Sequence, residues 1–313
     1  MTLALALGAV AVSPAWGALD PGDHSISVQH DGRARSYIVH VPPVAREGRP
    51  LPVILNFHGG GGNAPSQQKY SRLDALADAE GFVAVYPNGT GRMSDRLLTW
   101  NAGTCCGYSV LHKVDDVGFT LALLADLGAR QPIDRRRVYA TGLSNGGMMA
   151  WRLAAEASST IAAVAPVAGA KVLSGGPRDP PVSVMHFHSV DDPRALYAGG
   201  LGPPFPMTTS RVLHSAVEPT VRDWAAALGC PAAPRITAGL KGQPGSREAA
   251  QTATRLVWGP CREGTEVVLW KLTGAGHVWP GGVRDYLPGL LGQGTTLVDA
   301  DREMWQFFQR FTR

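Results

Sequence analysis

Three separated residues have the types and the order needed for nucleophilic acyl transfer. They are Ser144, Asp192 and His277, in the chain order serine, acid, histidine. In such a set the imidazole takes the serine proton and returns it to the leaving group, while the carboxylate fixes the tautomer and stabilises the imidazolium. The order therefore predicts attack of an activated serine hydroxyl on an acyl carbon.

Ser144 lies in a segment typical of a nucleophile elbow. Residues 141–147 read Thr-Gly-Leu-Ser-Asn-Gly-Gly and follow a short apolar run, and a helical pattern comes next. A sharp strand-to-helix turn lifts the hydroxyl out of the fold toward a base. Side chains two residues on either side would collide across this turn, which explains Gly142 and Gly146.

The two partners of the serine follow predicted strands. Residues 181–188 form an apolar run that ends in a turn carrying Asp191 and Asp192. Residues 266–272 alternate like a strand and lead into a glycine-containing loop that carries His277. Both partners are therefore expected on strand-end loops near the elbow.

A glycine run follows the apolar strand predicted at residues 51–57. Residues 58–63 read His-Gly-Gly-Gly-Gly-Asn, which resembles the HGGG loop of an oxyanion hole. The resemblance places the two backbone N–H donors at Gly60 and at Asn145, the residue after the serine. Such a donor pair lowers the barrier by roughly 3–4 kcal/mol. A phosphate-binding loop is disfavoured because no Lys-Ser/Thr follows and the spacing is not G-x-G-x-x-G.

Four motifs in this order resemble the polyhydroxybutyrate depolymerase and feruloyl esterase family of secreted serine esterases. They are residues 99–107, 114–119, 142–149 and 276–282. The resemblance covers most of the chain after the first 35 residues and implies an α/β-hydrolase fold. One departure concerns the acid: the family usually shows His-Gly-Thr-x-Asp, whereas residues 188–192 read His-Ser-Val-Asp-Asp. The acid therefore maps to Asp192, with Asp191 as an available neighbour.

The resemblance implies the type of reaction but leaves several substrates open. It implies a carboxylic ester hydrolase acting on hydroxyalkanoate oligomers of the polyhydroxybutyrate type or on small esters. Feruloyl or acetyl esters of plant polysaccharides are the alternative. An acyltransferase and a catalytically silent binding module on the same fold are alternatives from other classes, and nothing in the sequence favours either. No cofactor is predicted, and the oligomeric state stays open.

Several aromatic and acidic residues have both functional and structural interpretations. Trp100, Phe205 and Trp279 are candidates for the wall of an acyl pocket, and structural packing is an equal alternative for each. Asp115 and Asp116 precede a helical pattern and are predicted N-caps. Orientation of the site loops is the alternative for this pair.

Metal and nucleic-acid binding are disfavoured. His58, His186, His188 and His277 do not show a metal-site spacing such as H-E-x-x-H, and three of them lie in or beside apolar strands. No metal ligands are therefore assigned. The net charge is +4, but the basic residues are scattered and form no run interleaved with aromatics.

Periodicity predicts one α/β domain over residues 18–313. Apolar runs alternate with helical patterns at residues 117–127 and 145–157, which indicates a mostly parallel sheet with helices on both faces. Alternating runs around Asp31-Gly32 predict a hairpin, so the sheet should begin antiparallel.

The N-terminus and the cysteines favour export. Residues 1–17 are apolar and end in small residues, which is typical of a signal peptide, although the basic end is missing. A start codon assigned too late and a lipid-contacting stub stay open. Cys230 and Cys261 are predicted to form a disulfide that clamps the Pro- and Gly-rich insertion between them. For Cys105 and Cys106, a strained vicinal bridge and free thiols are equal alternatives.

Overall fold

A computed structural model describes residues 18–205, 209–283 and 286–313. The predicted signal peptide, residues 1–17, lies outside the described residues. In the described parts the strands are β1 (Gly22–His30), β2 (Arg33–Val41), β3 (Leu51–Phe57), β4 (Val83–Pro87), β5 (Ile133–Leu143), β6 (Ala163–Val167), β7 (Ser183–Ser189), β8 (Gly200–Leu201), β9 (Leu213–His214), β10 (Arg235–Lys241), β11 (Thr252–Trp258) and β12 (Val267–Thr273). The α-helices there are α1 (Ala64–Ser71), α2 (Leu73–Glu80), α3 (Gly107–Leu111), α4 (Asp116–Arg130), α5 (Asn145–Glu156), α6 (Val217–Ala227), α7 (Pro288–Leu291) and α8 (Ala300–Phe308). Short 3₁₀ helices occur at Pro43–Glu47 and Arg262–Gly264.

Ten of these strands form one sheet in the order β1-β2-β4-β3-β5-β6-β7-β12-β11-β10. The strands from β4 to β12 in this order pair in parallel. β1 and β2 pair antiparallel at one end, so the predicted antiparallel start is confirmed. The sheet also ends antiparallel, through β11 and β10.

The sheet is buried on both faces, which explains the apolar character of its central strands. Along β3, Val53 and Leu55 face one core cluster, while Ile54 faces the other. Side chains of α4, α5 and α6 contribute to the first cluster, and side chains of α1, α2 and α8 contribute to the second. The predicted α/β architecture with helices on both faces is confirmed.

Parallel pairing of the central strands brings the predicted site residues to one edge of the sheet. β5, β7 and β12 run in the same direction, and only β6 separates β5 from β7. Ser144 follows β5, Asp192 comes after β7, and His277 comes after β12. Three residues that are distant in the chain therefore lie at the same edge of the sheet, where these parallel strands have their carboxyl ends.

The insertion between Cys230 and Cys261 extends the sheet. Its composition, rich in Pro, Gly and Ala, offers little apolar content to fix it in place, but it forms β10 and β11, which pair with each other and with β12. The ladder between β10 and β11 is irregular between Ile236 and Ala238. The predicted Cys230–Cys261 disulfide is present. It joins the end of the α6 region to the start of the β12 region and closes the insertion at its base.

Two further findings concern the vicinal cysteines and the helices of the described residues. Cys105 and Cys106 form a vicinal disulfide across a cis peptide bond. No helix in residues 18–205, 209–283 and 286–313 has the length and apolar character required to cross a bilayer.

Candidate active site

Ser144 occupies the turn between β5 and α5 in a strained backbone conformation. Its φ is +56° and its ψ is −119°, in a region that residues with a side chain seldom adopt. Its N–H donates to the carbonyl of Val167 at 2.8 Å, which ties the turn to the neighbouring strand β6. A Cβ on Gly142 would lie 2.7 Å from the carbonyl oxygen of Gly146, and one on Gly146 would collide with the carbonyl of Phe57. The glycines thus have the steric role expected from the sequence.

Asp192 and His277 are in direct contact. Nδ1 of His277 lies 2.7 Å from Oδ2 of Asp192, and both residues are buried. Oδ1 of Asp192 accepts the N–H groups of Arg194 at 2.7 Å and Ala195 at 2.8 Å. Burial alone would raise the pKa of Asp192, but His277 and the hydrogen bonds it accepts hold that pKa well below its usual range. Asp192 is therefore a carboxylate able to fix the imidazole with Nδ1 protonated.

Asp191 has a different contact. Its Oδ2 accepts the N–H of Gly274 at 2.6 Å, which links the turn after β7 to the loop after β12. Among the described residues Asp191 has no hydrogen bond to His277. The structure therefore separates the two neighbouring acids: Asp192 contacts the histidine, and Asp191 fastens the loop that carries it.

His188 is a neighbour of Asp192 that sequence reasoning did not place at the site. Its Nε2 donates to the carbonyl of Ala195 at 2.7 Å and lies 3.3 Å from Oδ2 of Asp192. Its Nδ1 lies 3.0 Å from Nε2 of His186, which is also buried. Since Nε2 of His188 donates, Nδ1 of a neutral ring accepts from His186. The available signal was the position of His188, four residues before the acid at the end of a buried strand.

Gly60 and Asn145 lie side by side, as the oxyanion assignment requires. A Cβ built on Gly60 would be 3.6 Å from Cβ of Asn145 and 3.7 Å from Cε1 of Phe205. Gly61 and Gly62 donate their N–H groups to backbone carbonyls, but the described residues provide no backbone acceptor for Gly60. Asn145 is the first residue of α5, where an N–H has no acceptor within the helix. Both N–H groups are thus available to a substrate oxygen.

The three aromatic pocket candidates occupy different environments. Phe205 is partly exposed and lies beside Gly60, at the mouth of the site. Trp100 is completely buried. Trp279 is also buried, and its Nε1 donates to Oδ1 of Asp301 at 2.9 Å. These contacts favour the packing alternative for both tryptophans and leave Phe205 as the candidate with an accessible ring.

The two candidate caps at the start of α4 differ in role. Asp115 accepts the N–H of Gly118 at 2.8 Å and caps the helix. Asp116 is buried and pairs with Arg35, 2.8 Å from its Nη2. Its other oxygen accepts the N–H of Asn101 at 2.7 Å. Asp116 therefore orients the loop next to Trp100, which was the alternative interpretation of this pair.

His58 is held neutral at the start of the oxyanion loop. Its Nε2 accepts the N–H of Gly89 at 3.0 Å, so Nδ1 carries the proton and donates to the carbonyl of Gly59 at 2.8 Å. Burial lowers the pKa of His58 to about 4, because a charge in this position would be removed from water. The glycine loop is thus anchored by a histidine that works only in its neutral form.

We expect the neutrality of His58 to make the fold sensitive to acid. An unfolded histidine titrates near pH 6.5. As pH falls from about 6.5 toward 4, the unfolded chain takes up a proton that the folded state excludes, so the free energy of unfolding decreases. One such histidine contributes up to about 1.4 kcal/mol per pH unit. The free energy of unfolding, measured with urea at several pH values between 4.5 and 7.5, should therefore change less with pH in His58→Gln than in wild type. Equal slopes would contradict this assignment.

A strand–serine–helix elbow, with an acid and a histidine at the ends of parallel strands in the same sheet, is characteristic of α/β-hydrolases. Residues 35–251 match the family described as Esterase PHB depolymerase, and the chain belongs to this family.

Relatives of the chain are named as esterases. The "Putative esterase NocK" of Nocardia uniformis subsp. tsuyamanensis is 32% identical over 281 residues, which cover 83% of this chain and 75% of that protein. The bifunctional acetylxylan esterase/xylanase XynS20E of Neocallimastix patriciarum is 28% identical over 80% of this chain, but the match spans only 32% of the relative. Feruloyl esterase D of Neurospora crassa is 26% identical over 92% of this chain and 86% of its own length. The chain is accordingly a carboxylic ester hydrolase.

Solved structures show the same fold. The acetyl xylan esterase from Aspergillus awamori superimposes with a TM-score of 0.56 at 15% identity, over 91% of this chain and 99% of that one. At this level of identity the likeness concerns the fold.

Proposed function

We propose that residues 18–313 form one catalytic domain that hydrolyses carboxylic esters through a covalent acyl-enzyme. Ser144 is the nucleophile, His277 the general base and acid, and Asp192 the orienting carboxylate. The observation that carries this proposal is the 2.7 Å contact between Asp192 and His277 at the sheet edge where the strained Ser144 turn lies.

The proposed reaction has two acyl-transfer steps. Nε2 of His277 takes the hydroxyl proton as Oγ of Ser144 bonds to the ester carbon. The carbonyl oxygen becomes an oxyanion between the N–H groups of Gly60 and Asn145, which are in place before the charge develops. The imidazolium then gives its proton to the departing alcohol oxygen as the C–O bond breaks. Water repeats the sequence on the acyl-serine and releases the acid.

For the substrate, we propose feruloyl or acetyl esters of plant polysaccharides. The names of the feruloyl and acetylxylan esterase relatives support this choice. Hydroxybutyrate oligomers are the second candidate, and the description of the matching family supports them.

A substrate panel separates these candidates. We expect kcat/KM for methyl ferulate or for p-nitrophenyl acetate to exceed kcat/KM for 3-hydroxybutyrate oligomers. The reverse order would assign the chain to hydroxyalkanoates. Addition of an alcohol acceptor to the same assay tests acyl transfer, because a transferase would divert acyl groups from the free acid to the new ester.

We also propose export, with cleavage after Gly17. Oxidising compartments favour stable disulfides, so the Cys230–Cys261 bridge supports this proposal. The intact mass of protein recovered outside the cytoplasm tests it, and a cytoplasmic protein that retains residues 1–17 would contradict it.

A further inference from the structure

Trp100 lies between the two halves of the proposed oxyanion hole. It belongs to the loop that follows β4, and its side chain is completely buried. Its ring meets Phe57, the last residue of β3, edge to face with centroids 5.0 Å apart. This tryptophan is thus enclosed behind the site and presents no surface to a substrate.

On one side, Trp100 holds the glycine loop. Its indole Nε1 donates to the carbonyl oxygen of His58 at 2.9 Å, and the ring centroids of the two residues are 4.9 Å apart. The carbonyl of His58 comes two residues before the Gly60 N–H. A hydrogen bond at this position limits how far the loop can move away from the sheet.

On the other side, Trp100 holds the first residue of α5. Its backbone N–H donates to Oδ1 of Asn145 at 2.7 Å, and Nδ2 of Asn145 donates back to the carbonyl of Trp100 at 3.1 Å. These paired bonds fix the Asn145 side chain in both directions. Because the side chain is fixed at its end and the backbone is fixed by the elbow, the Asn145 N–H has little freedom to turn.

The residue that follows Trp100 is anchored independently of the site. Asn101 donates its N–H to the buried Asp116, and its carbonyl accepts from Nη1 of Arg152 at 2.6 Å. Asp116 is neutralised by Arg35. Trp100 therefore has a fixed backbone from which it reaches both neighbours.

We propose that Trp100 is a positioning residue that sets the separation between the Gly60 and Asn145 N–H donors. The proposal rests on the proposed function, because it needs these two groups to bind the oxyanion. Oxyanion donors act only within about 2.7–3.1 Å of the developing charge, so a small shift of either one weakens transition-state binding. Ground-state binding of the ester depends much less on this separation.

The test replaces Trp100 by Phe, which keeps an aromatic ring but removes the indole N–H. We expect kcat to fall by roughly 10- to 100-fold with KM nearly unchanged, as displacements of about 1 Å at a reacting centre do. Affinity for phenylboronic acid, whose serine adduct mimics the tetrahedral intermediate, should fall in parallel with kcat/KM. Asn145→Ala keeps its backbone donor but loses both bonds to Trp100, and it should show the same pattern.

Trp224→Phe is the matched control. Trp224 is also buried, and its Nε1 donates to a backbone carbonyl, that of Val182, at 3.2 Å. Its replacement should lower the Tm comparably and leave kcat close to wild type. Near-UV circular dichroism confirms that each variant is folded, and if Trp100→Phe does not fold, Asn145→Ala carries the test.

The outcomes distinguish the proposals. A raised KM with unchanged kcat in Trp100→Phe would make Trp100 a pocket wall and overturn the inference. Equal losses of kcat in Trp100→Phe and Trp224→Phe would mean that Trp100 contributes only to the stability of the fold and would overturn the inference. Activity retained by Ser144→Ala would instead overturn the proposed function, whatever the tryptophan variants show.

Discussion

Ser144→Ala is expected to reduce ester hydrolysis by several orders of magnitude while leaving the fold unchanged. Removal of the hydroxyl eliminates the protein atom that the proposed mechanism bonds to the acyl carbon, and loss of a triad serine has costs of about 10⁶ in kcat elsewhere. The backbone contacts of the turn, including the N–H of Ser144 to Val167, do not involve the side chain. Initial rates and thermal unfolding of the same preparation measure both parts of the prediction.

Ser158→Ala controls for the removal of a serine hydroxyl from the other end of α5. Ser158 follows the far end of α5, and its Oγ donates to the carbonyl of Asp179 at 3.3 Å. This variant should retain wild-type kcat. If Ser144→Ala keeps more than a few per cent of the activity, the nucleophile is a different group.

The second large effect separates the two neighbouring acids. In Asp192→Asn, an amide N–H₂ would face Nδ1 of His277, which would shift the imidazole proton to Nε2 and block acceptance from the serine. The comparable change in a serine protease costs roughly 10⁴ in kcat. An amide oxygen can still accept the N–H groups of Arg194 and Ala195, so the loop should persist.

Asp191→Asn should be mild by comparison, because an amide oxygen can still accept the N–H of Gly274. The measurement is kcat of the two variants side by side with a soluble ester. A larger loss in Asp191→Asn than in Asp192→Asn would transfer the orienting role to Asp191.

Strand ends explain how the placement of the candidate site residues could be predicted from the sequence. Ser144, Asp192 and His277 each follow an apolar run, and parallel strands carry their carboxyl ends to one edge, so local pattern and chain order were sufficient to group them. The choice of Asp192 over Asp191 came from family spacing. Local pattern alone does not distinguish two adjacent acids in one turn.

Contacts between distant segments account for what was missed. The indole of Trp100 and the carbonyl of His58 are 42 positions apart, and Arg35 and Asp116 are 81 apart. Hydrophobic periodicity in the sequence does not reveal contacts between residues so far apart in the chain. The proline and glycine content of the insertion between Cys230 and Cys261 does not indicate strands, because β11 is held by ladder hydrogen bonds to β12 that composition does not show.

The irregular pairing of β10 affects how readily two copies of the protein could associate through the edges of their sheets. As the last strand in the sheet order, β10 presents main-chain donors and acceptors that a strand from another molecule could pair with, and Ile236 and Leu240 are exposed along it. The register shift beside Ile236 interrupts this row of main-chain donors and acceptors. Arg235 and Lys241 place a positive charge at each end of β10. A bulge with flanking cations is one of the features by which proteins discourage edge-to-edge pairing of exposed strands, and in this protein it lies in the insertion closed by the Cys230–Cys261 disulfide.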